Sequence, residues 1–407
     1  MRSAALALVI LTACSPDDDG PKGERGPVTV TVLRNEFPVP DAAVVFHTAD
    51  GTLLGTSRTD ATGTVTGEIT TWSMVTVIDP IFPNDLVTIT RVALGATLEL
   101  PLDSQGPGEP VGTLTISASA STPPPSAERY SIYTPCTSNV GVSVLPATID
   151  VYARCGAEFP VIIVARAASQ NLEDPGMPLA YVAGRATSGA FQPGTWSNTC
   201  AQVGVSTELT MSIELWPRLH GFVFRDADLG FCPTTTTSEP TLDFSEGAVA
   251  DAYANLDAPL RTTSVLRDYA QVPAVLQIPR RDLLVGDVAL ISLDETGAQW
   301  SSEMAPSEAD AIDAKLTWPP ANSSYLNWRV VLPRDATTAV LPAIPDELRV
   351  WDVLDTSDAA VSLRYVDASW LDTLDEIERE LPLVLEGRRP LPADGTLRDY
   401  IERLSLP

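Results

Sequence analysis

The chain has 407 residues, with 53 Asp+Glu against 26 Lys+Arg, a formal charge of −27 and 44% apolar residues, enough to bury more than one core. Its 35 prolines argue against a helical bundle, because proline breaks helix interiors but is tolerated at strand edges and in turns. The acidic balance, with Lys22 and Lys315 as the only lysines, argues against nucleic-acid binding, which needs clustered cations to displace phosphate counterions.

Met1-Arg2-Ser3 supplies a positive start, and Ala4 to Leu11 is an apolar run of signal-peptide length, too short to span a bilayer. Leu11-Thr12-Ala13-Cys14 then resembles the lipobox of bacterial lipoproteins. That resemblance implies a signal peptide over 1–13, cleavage before Cys14, and acyl chains on its thiol and new amino terminus. More than one acyl chain gives durable membrane attachment, at about 0.8 kcal/mol per buried methylene. Ser15 to Pro27 has no apolar residue able to seed a core, so 14–27 reads as the lipidated cysteine and an acidic tether. Within it, glycine at every third position hints at collagen, but three triplets cannot support a triple helix. Ser15 rather than aspartate after Cys14 favours, by the same resemblance, the outer membrane over the inner one.

From Val28 the pattern is strand-like. Val28, Val30 and Val32 alternate with threonines, Ala43 to Phe46 follows a Pro-Val-Pro-Asp turn, and Asp50-Gly51 and Asp60-Ala61-Thr62-Gly63 mark the next two connections. Further strands are predicted at 74–78, 86–92 and 97–102, which is the density of a β-sandwich. The segments PVPDAAVVF, GTSRTDATGTVTGEI, WSMVTV and VALGATLELPL resemble the carboxypeptidase regulatory-like, transthyretin-like Ig-type domain of bacterial surface proteins. Phe37 stands where that family often has glycine. The resemblance covers 28–102 and implies a small non-catalytic sandwich. It imports no peptidase activity, because neither His47 nor His220 begins an H-x-x-E motif.

Asp103 to Pro110 reads as a linker. A second β domain is predicted over 111–232, with strands near 112–116, 128–133, 149–153, 161–165, 179–182 and 209–215. The unbroken apolar run Val161 to Ala165 suits a strand covered on both faces. Setting Cys14 aside leaves Cys136, Cys155, Cys200 and Cys232, an even number in an exported chain, which admits three disulfide connectivities. Neighbour pairing, Cys136 with Cys155 and Cys200 with Cys232, is the expectation. The apolar alternation between the first two, with a central proline, suits two strands whose ends meet. No C-x-x-C occurs, so zinc-ligand spacing is absent.

A third sandwich-like domain is predicted over 241–367, with strands near 274–278, 288–293, 314–318, 326–331 and 361–365. Trp318 and Trp328 have the spacing of a fibronectin-type pair in which one strand's tryptophan packs beneath its neighbour's aromatic. Over 368–407 the apolar period lengthens. Leu371, Leu374, Ile377 and Leu381, then Leu397, Tyr400, Ile401 and Leu404, recur every three or four residues, which predicts a tail of two short amphipathic helices. The predicted class is therefore mainly β, with tandem β-sandwich domains and a short helical C-terminal segment.

Chemistry is harder to find. No G-x-S-x-G elbow, Walker loop or dinucleotide glycine pattern is present. Asp226-Ala-Asp228-Leu-Gly230 offers a weak calcium candidate in Asp226 and Asp228, ranking behind a solvated turn. Trp318, Tyr325 and Trp328 offer a possible glycan platform, against the commoner outcome of buried tryptophan. The sequence reading is thus a lipid-anchored, non-enzymatic envelope protein without a cofactor. It would be an interaction or adhesion module with an unknown protein or glycan ligand. A glycan-binding or glycan-active secreted protein is the alternative.

Overall fold

The computed structural model describes residues 24–405 except 35–36, 103–109, 118–121, 153–154, 156–157, 169–175, 188, 199, 203, 208–210, 220–221, 224–239, 243–246, 257–260, 272–273, 305, 320–324, 352–357, 372–375, 378–379, 381–390 and 393–394. The protein is mainly β, as predicted.

The first eight strands are Arg25–Arg34 (β1), Phe37–Pro38 (β2), Ala43–His47 (β3), Leu53–Arg58 (β4), Thr64–Thr70 (β5), Ser73–Ile78 (β6), Asp85–Val92 (β7) and Thr97–Pro101 (β8). They form two facing layers. In one, β1 pairs with β2, β5 and β8; in the other the order is β4-β3-β6-β7. Alternation in β1 turns Val28, Val30 and Val32 inward against Val44, Phe46, Val75, Val77 and Ile89. The Asp60 to Gly63 turn closes as its sequence demands. Asp60 Oδ1 accepts from the Thr62 and Thr64 amides at 2.8 and 3.1 Å, and Gly63 takes the positive φ of 69°. Buried Thr59 then staples the layer, donating to the Val39 carbonyl at 2.6 Å and accepting from the Ala42 amide at 2.9 Å. Because β1 begins at Arg25, the end of the expected tether, Arg25 to Pro27, is strand and pairs with Glu68 to Thr70.

The middle region comprises Pro110–Ile116 (β9), Arg129–Thr134 (β10), Thr137–Val142 (β11), Ala147–Tyr152 (β12), Glu158–Arg166 (β13), Pro178–Thr187 (β14) and Ala190–Phe191 (β15). These make a seven-stranded sheet in the order β11-β10-β13-β14-β15-β9-β12. As expected, β13 is buried on both faces. Val161, Ile163 and Ala165 join one core with Leu114, Ile132 and Ile149, while Ile162 and Val164 join another with Tyr133 and Tyr181. The Cys136–Cys155 disulfide forms inside the first core, with Cα atoms 5.0 Å apart.

The remaining strands are Cys200–Gln202 (β16), Gly204–Thr207 (β17), Ser212–Leu219 (β18), Phe222–Val223 (β19), Pro240–Leu242 (β20), Ala248–Leu256 (β21), Arg261–Tyr269 (β22), Val275–Ile278 (β23), Asp287–Asp294 (β24), Gly297–Met304 (β25), Ala311–Trp318 (β26), Leu326–Pro333 (β27), Thr338–Val340 (β28), Ala360–Ala368 (β29) and Thr396–Ser405 (β30). One twelve-stranded sheet runs β19-β18-β21-β22-β30-β29-β26-β27-β7-β6-β3-β4. The first sandwich's second layer is therefore continuous with the C-terminal sheet, through parallel pairing of β7 with β27 from Asp85↔Asn327 to Ile89↔Val331. The three-stranded sheet β24-β25-β28 covers one face of this joint. There Val288, Leu293, Trp300 and Ala339 pack with Leu316, Trp318, Trp328 and Tyr365, and also with Ala43, Val45, Ile78 and Leu86 of the first sandwich.

The helical tail is corrected. Residues 396–405 form β30, a central strand held between β22 and β29. Its apolar residues serve both faces, Tyr400 one core and Leu397 another, so strict alternation is lost and the spacing mimics a helix. No α-helix is among the described elements. Glu376, Ile377 and Glu380 have helical backbone, and the other residues of 372–381 lie outside the description. None of the described helical segments is long and apolar enough to cross a membrane.

Candidate functional site: a charged seam between two sandwiches

Alternation along β26 sends Ile312, Ala314, Leu316 and Trp318 into the core, leaving Asp313 and Lys315 on the opposite face. On β27 the same rule buries Trp328 and Val330 and turns out Asn327 and Arg329. Beside them lie Arg364 of β29 and Asp85 of β7, with Asp79 and Leu102 at the rim of the first sandwich. Together they line a cavity of about 210 Å³.

The carboxylates of this seam are each engaged. Asp313 holds Arg329 in a two-pronged pair, Oδ1 to Nε at 2.8 Å and Oδ2 to Nη2 at 3.2 Å. Asp85 accepts from Asn327 Nδ2 at 2.8 Å. Asp79 pairs with Arg34 and caps the following loop, accepting from the Ile81 and Phe82 amides at 2.7 and 3.0 Å. Arg364 leans away from Asp313 and donates through Nε, at 2.7 Å, and through Nη2 to one oxygen of buried Asp399. The other Asp399 oxygen accepts from Ser264 Oγ at 2.6 Å. Lys315 is exposed and makes no ion pair among the described residues. The polar lining of the cavity is thus carboxylate, carboxamide, ammonium and guanidinium.

The residues singled out in the sequence fall elsewhere. Trp318 and Trp328 are both 0% exposed and stack with ring centroids 6.5 Å apart. The Trp328 indole donates to Thr88 Oγ1 at 2.8 Å, and Thr88 in turn bonds Thr76 at 2.9 Å. These rings pack across neighbouring strands as expected, but present no face to a surface glycan. Tyr325 is 57% exposed, without them as a platform. His47 is buried at the end of β3, and burial, partly offset by a Gly51 backbone group, pushes its imidazole down to about 4. Cys14, His220, Asp226, Asp228 and Cys232 lie outside the described residues, and of Cys200 only its place in β16 is given. Among the described residues no group of three or more His, Cys, Asp or Glu could hold a metal.

Sequence reasoning missed the seam because its members come from segments as distant as Asp85 and Asn327, 242 residues apart. The alternation that places Asp313, Lys315 and Arg329 on outward faces was nonetheless readable.

No protein-family model matches the chain, and no curated protein does. Among solved structures, the Bacillus anthracis TIE protein aligns at 9% identity over 63% of this chain and 50% of its own length, with a TM-score of 0.17. The chain thus spans about half of that protein, and so low a score carries no argument about fold or function.

Proposed function

We propose that the chain is a lipid-anchored ectodomain of a bacterial envelope, working as a non-catalytic structural and interaction module. The observation that carries the reading is Leu11-Thr12-Ala13-Cys14 directly behind an apolar run and a positive start. Among the described residues the first strand begins at Arg25, shortly after Cys14 in the sequence, which suits attachment close to a membrane surface. The shared twelve-stranded sheet supports a rigid presenting body, because β7–β27 pairing removes the hinge that a linker between separate sandwiches would provide. Outer-membrane placement and acylation by palmitate or a similar chain belong to the same proposal. The test is fractionation of cells making the natural chain and Cys14→Ala, with labelled palmitate. The natural chain should carry label and sediment with membranes, and Cys14→Ala should lose both. A variant that stays membrane-bound, or a natural chain without label, would overturn the proposal.

A further inference from the structure

We infer that the β5–β6 turn is a membrane contact, with the Trp72 indole resting in the headgroup layer of a zwitterionic lipid surface. The inference rests on the acylation of Cys14 proposed above and adds a second, non-covalent contact to it.

Register gathers three turns around the start of β1. Arg25 pairs with Thr70, so the Thr71-Trp72 turn lies beside the first residue of that strand. The Gly95 amide donates to the Pro27 carbonyl at 2.7 Å, which brings the β7–β8 turn to the same end, and Leu94 packs there on Gly26. His47 pairs with both Met74 and Leu53, which adds the β3–β4 turn. Cys14 and Arg25 are eleven residues apart, a span of about 40 Å at full extension, so an acylated Cys14 holds this end within that distance of the bilayer.

Trp72 is displayed here against the preference of its own backbone. Among the described residues it is the only exposed one of the chain's eight tryptophans, and its φ is 63°, a conformation that bulky side chains rarely accept. Ser73 Oγ fixes the turn, accepting from the Thr70 amide at 3.0 Å and bonding Thr70 Oγ1 at 3.0 Å. Arg91, exposed beside the Ser73↔Val92 pair, also has a positive φ, of 55°. Exposed Leu53 adds apolar surface to the same end. Charge selects the lipid. Exposed Arg25, Arg91 and Arg334, which follows β27 beside β7, stand against exposed Glu24, Asp50, Glu68 and Asp335, so this end is nearly neutral in a chain of formal charge −27. Anionic lipid gains nothing there. An indole suits a neutral headgroup layer, with its apolar body toward the acyl chains and its N–H toward water.

The test takes the full chain from cells fed labelled palmitate and incorporates it into phosphatidylcholine vesicles, with and without bromine on the acyl chains. Bromine quenches only rings that touch lipid. The natural chain should lose one ring's share of its eight-tryptophan emission, and Trp72→Phe should lose none. Adding phosphatidylglycerol should not deepen the loss. Trp72→Gly should also abolish quenching, while its urea midpoint without vesicles equals or exceeds that of the natural chain, because glycine accepts the left-handed turn. The palmitate label reads the anchor separately. A labelled chain without quenching overturns this inference, leaving the anchor intact and Trp72 to a protein partner. An unlabelled chain that is still quenched supports the contact and removes the anchor, and a chain with neither removes both. Equal quenching in Trp72→Phe, quenching that requires phosphatidylglycerol, or a lowered midpoint in Trp72→Gly also overturns the inference.

Discussion

Replacing Thr88 with valine keeps the shape of the side chain and removes one oxygen. That oxygen accepts the Trp328 indole N–H at 2.8 Å and meets Thr76 Oγ1 at 2.9 Å, both in fully buried surroundings at the joint between β7 and β27. Each orphaned buried group costs about 1–3 kcal/mol, so Thr88→Val should destabilise by roughly 2–4 kcal/mol despite its conserved volume. Trp328→Phe removes the indole donor, and in that background Thr88→Val strands only Thr76. The cycle should therefore return a coupling of about 1–2 kcal/mol between positions 88 and 328. Urea unfolding of the four proteins, followed by far-ultraviolet circular dichroism, measures it. A Thr88→Val protein within about 0.5 kcal/mol of its parent, or the same cost in both backgrounds, would refute the idea that this bond stitches the two sandwiches.

Two further outcomes follow from other buried groups. Cys136 and Cys155 close a loop with a sequence separation of 19, so Cys136→Ser/Cys155→Ser should lose about 3 kcal/mol, read as a lower urea midpoint; an unchanged midpoint would count against a structural bridge. His47 is neutral in the fold with its pKa near 4, whereas the unfolded chain protonates near 6.5, so the unfolded state binds the extra proton between those values. Its contribution is fully present above pH 6.5 and lost as pH falls toward 4, about 3 kcal/mol in all. His47→Leu should flatten that part of the stability profile relative to the parent; parallel profiles would reject the assignment.

The local parts of this molecule were legible in its sequence. Val28, Val30 and Val32 announce an alternating strand, the Asp60 to Gly63 turn its hairpin, and Val161 to Ala165 a strand buried on two faces. Burial of Trp318 and Trp328 was also foreseeable as the ordinary fate of tryptophan in a sandwich. The failures are central and long-range. In β30, buried Asp399 and Glu402 look like a solvated face until Arg364 and Arg261 are known to meet them at the neighbouring strands. The pairing of β7 with β27 has no sequence signature, since hydrogen bonds between backbones are indifferent to side-chain identity. With that pairing unreadable, so was the seam.

That same pairing governs the order in which the chain can mature. Until β27 is made, β7 offers an open row of backbone donors and acceptors, beside a face of Ala43, Val45, Ile78 and Leu86 whose core partners all come from later segments. Asp85 and Asn327 are 242 residues apart, so at ~5–20 residues per second the gap takes roughly ten to fifty seconds to synthesise. Throughout that interval the earliest-born unit carries a sticky border and an uncovered apolar flank. Any product ended before Pro333 would keep them, so early termination should generate aggregates rather than a spare functional module.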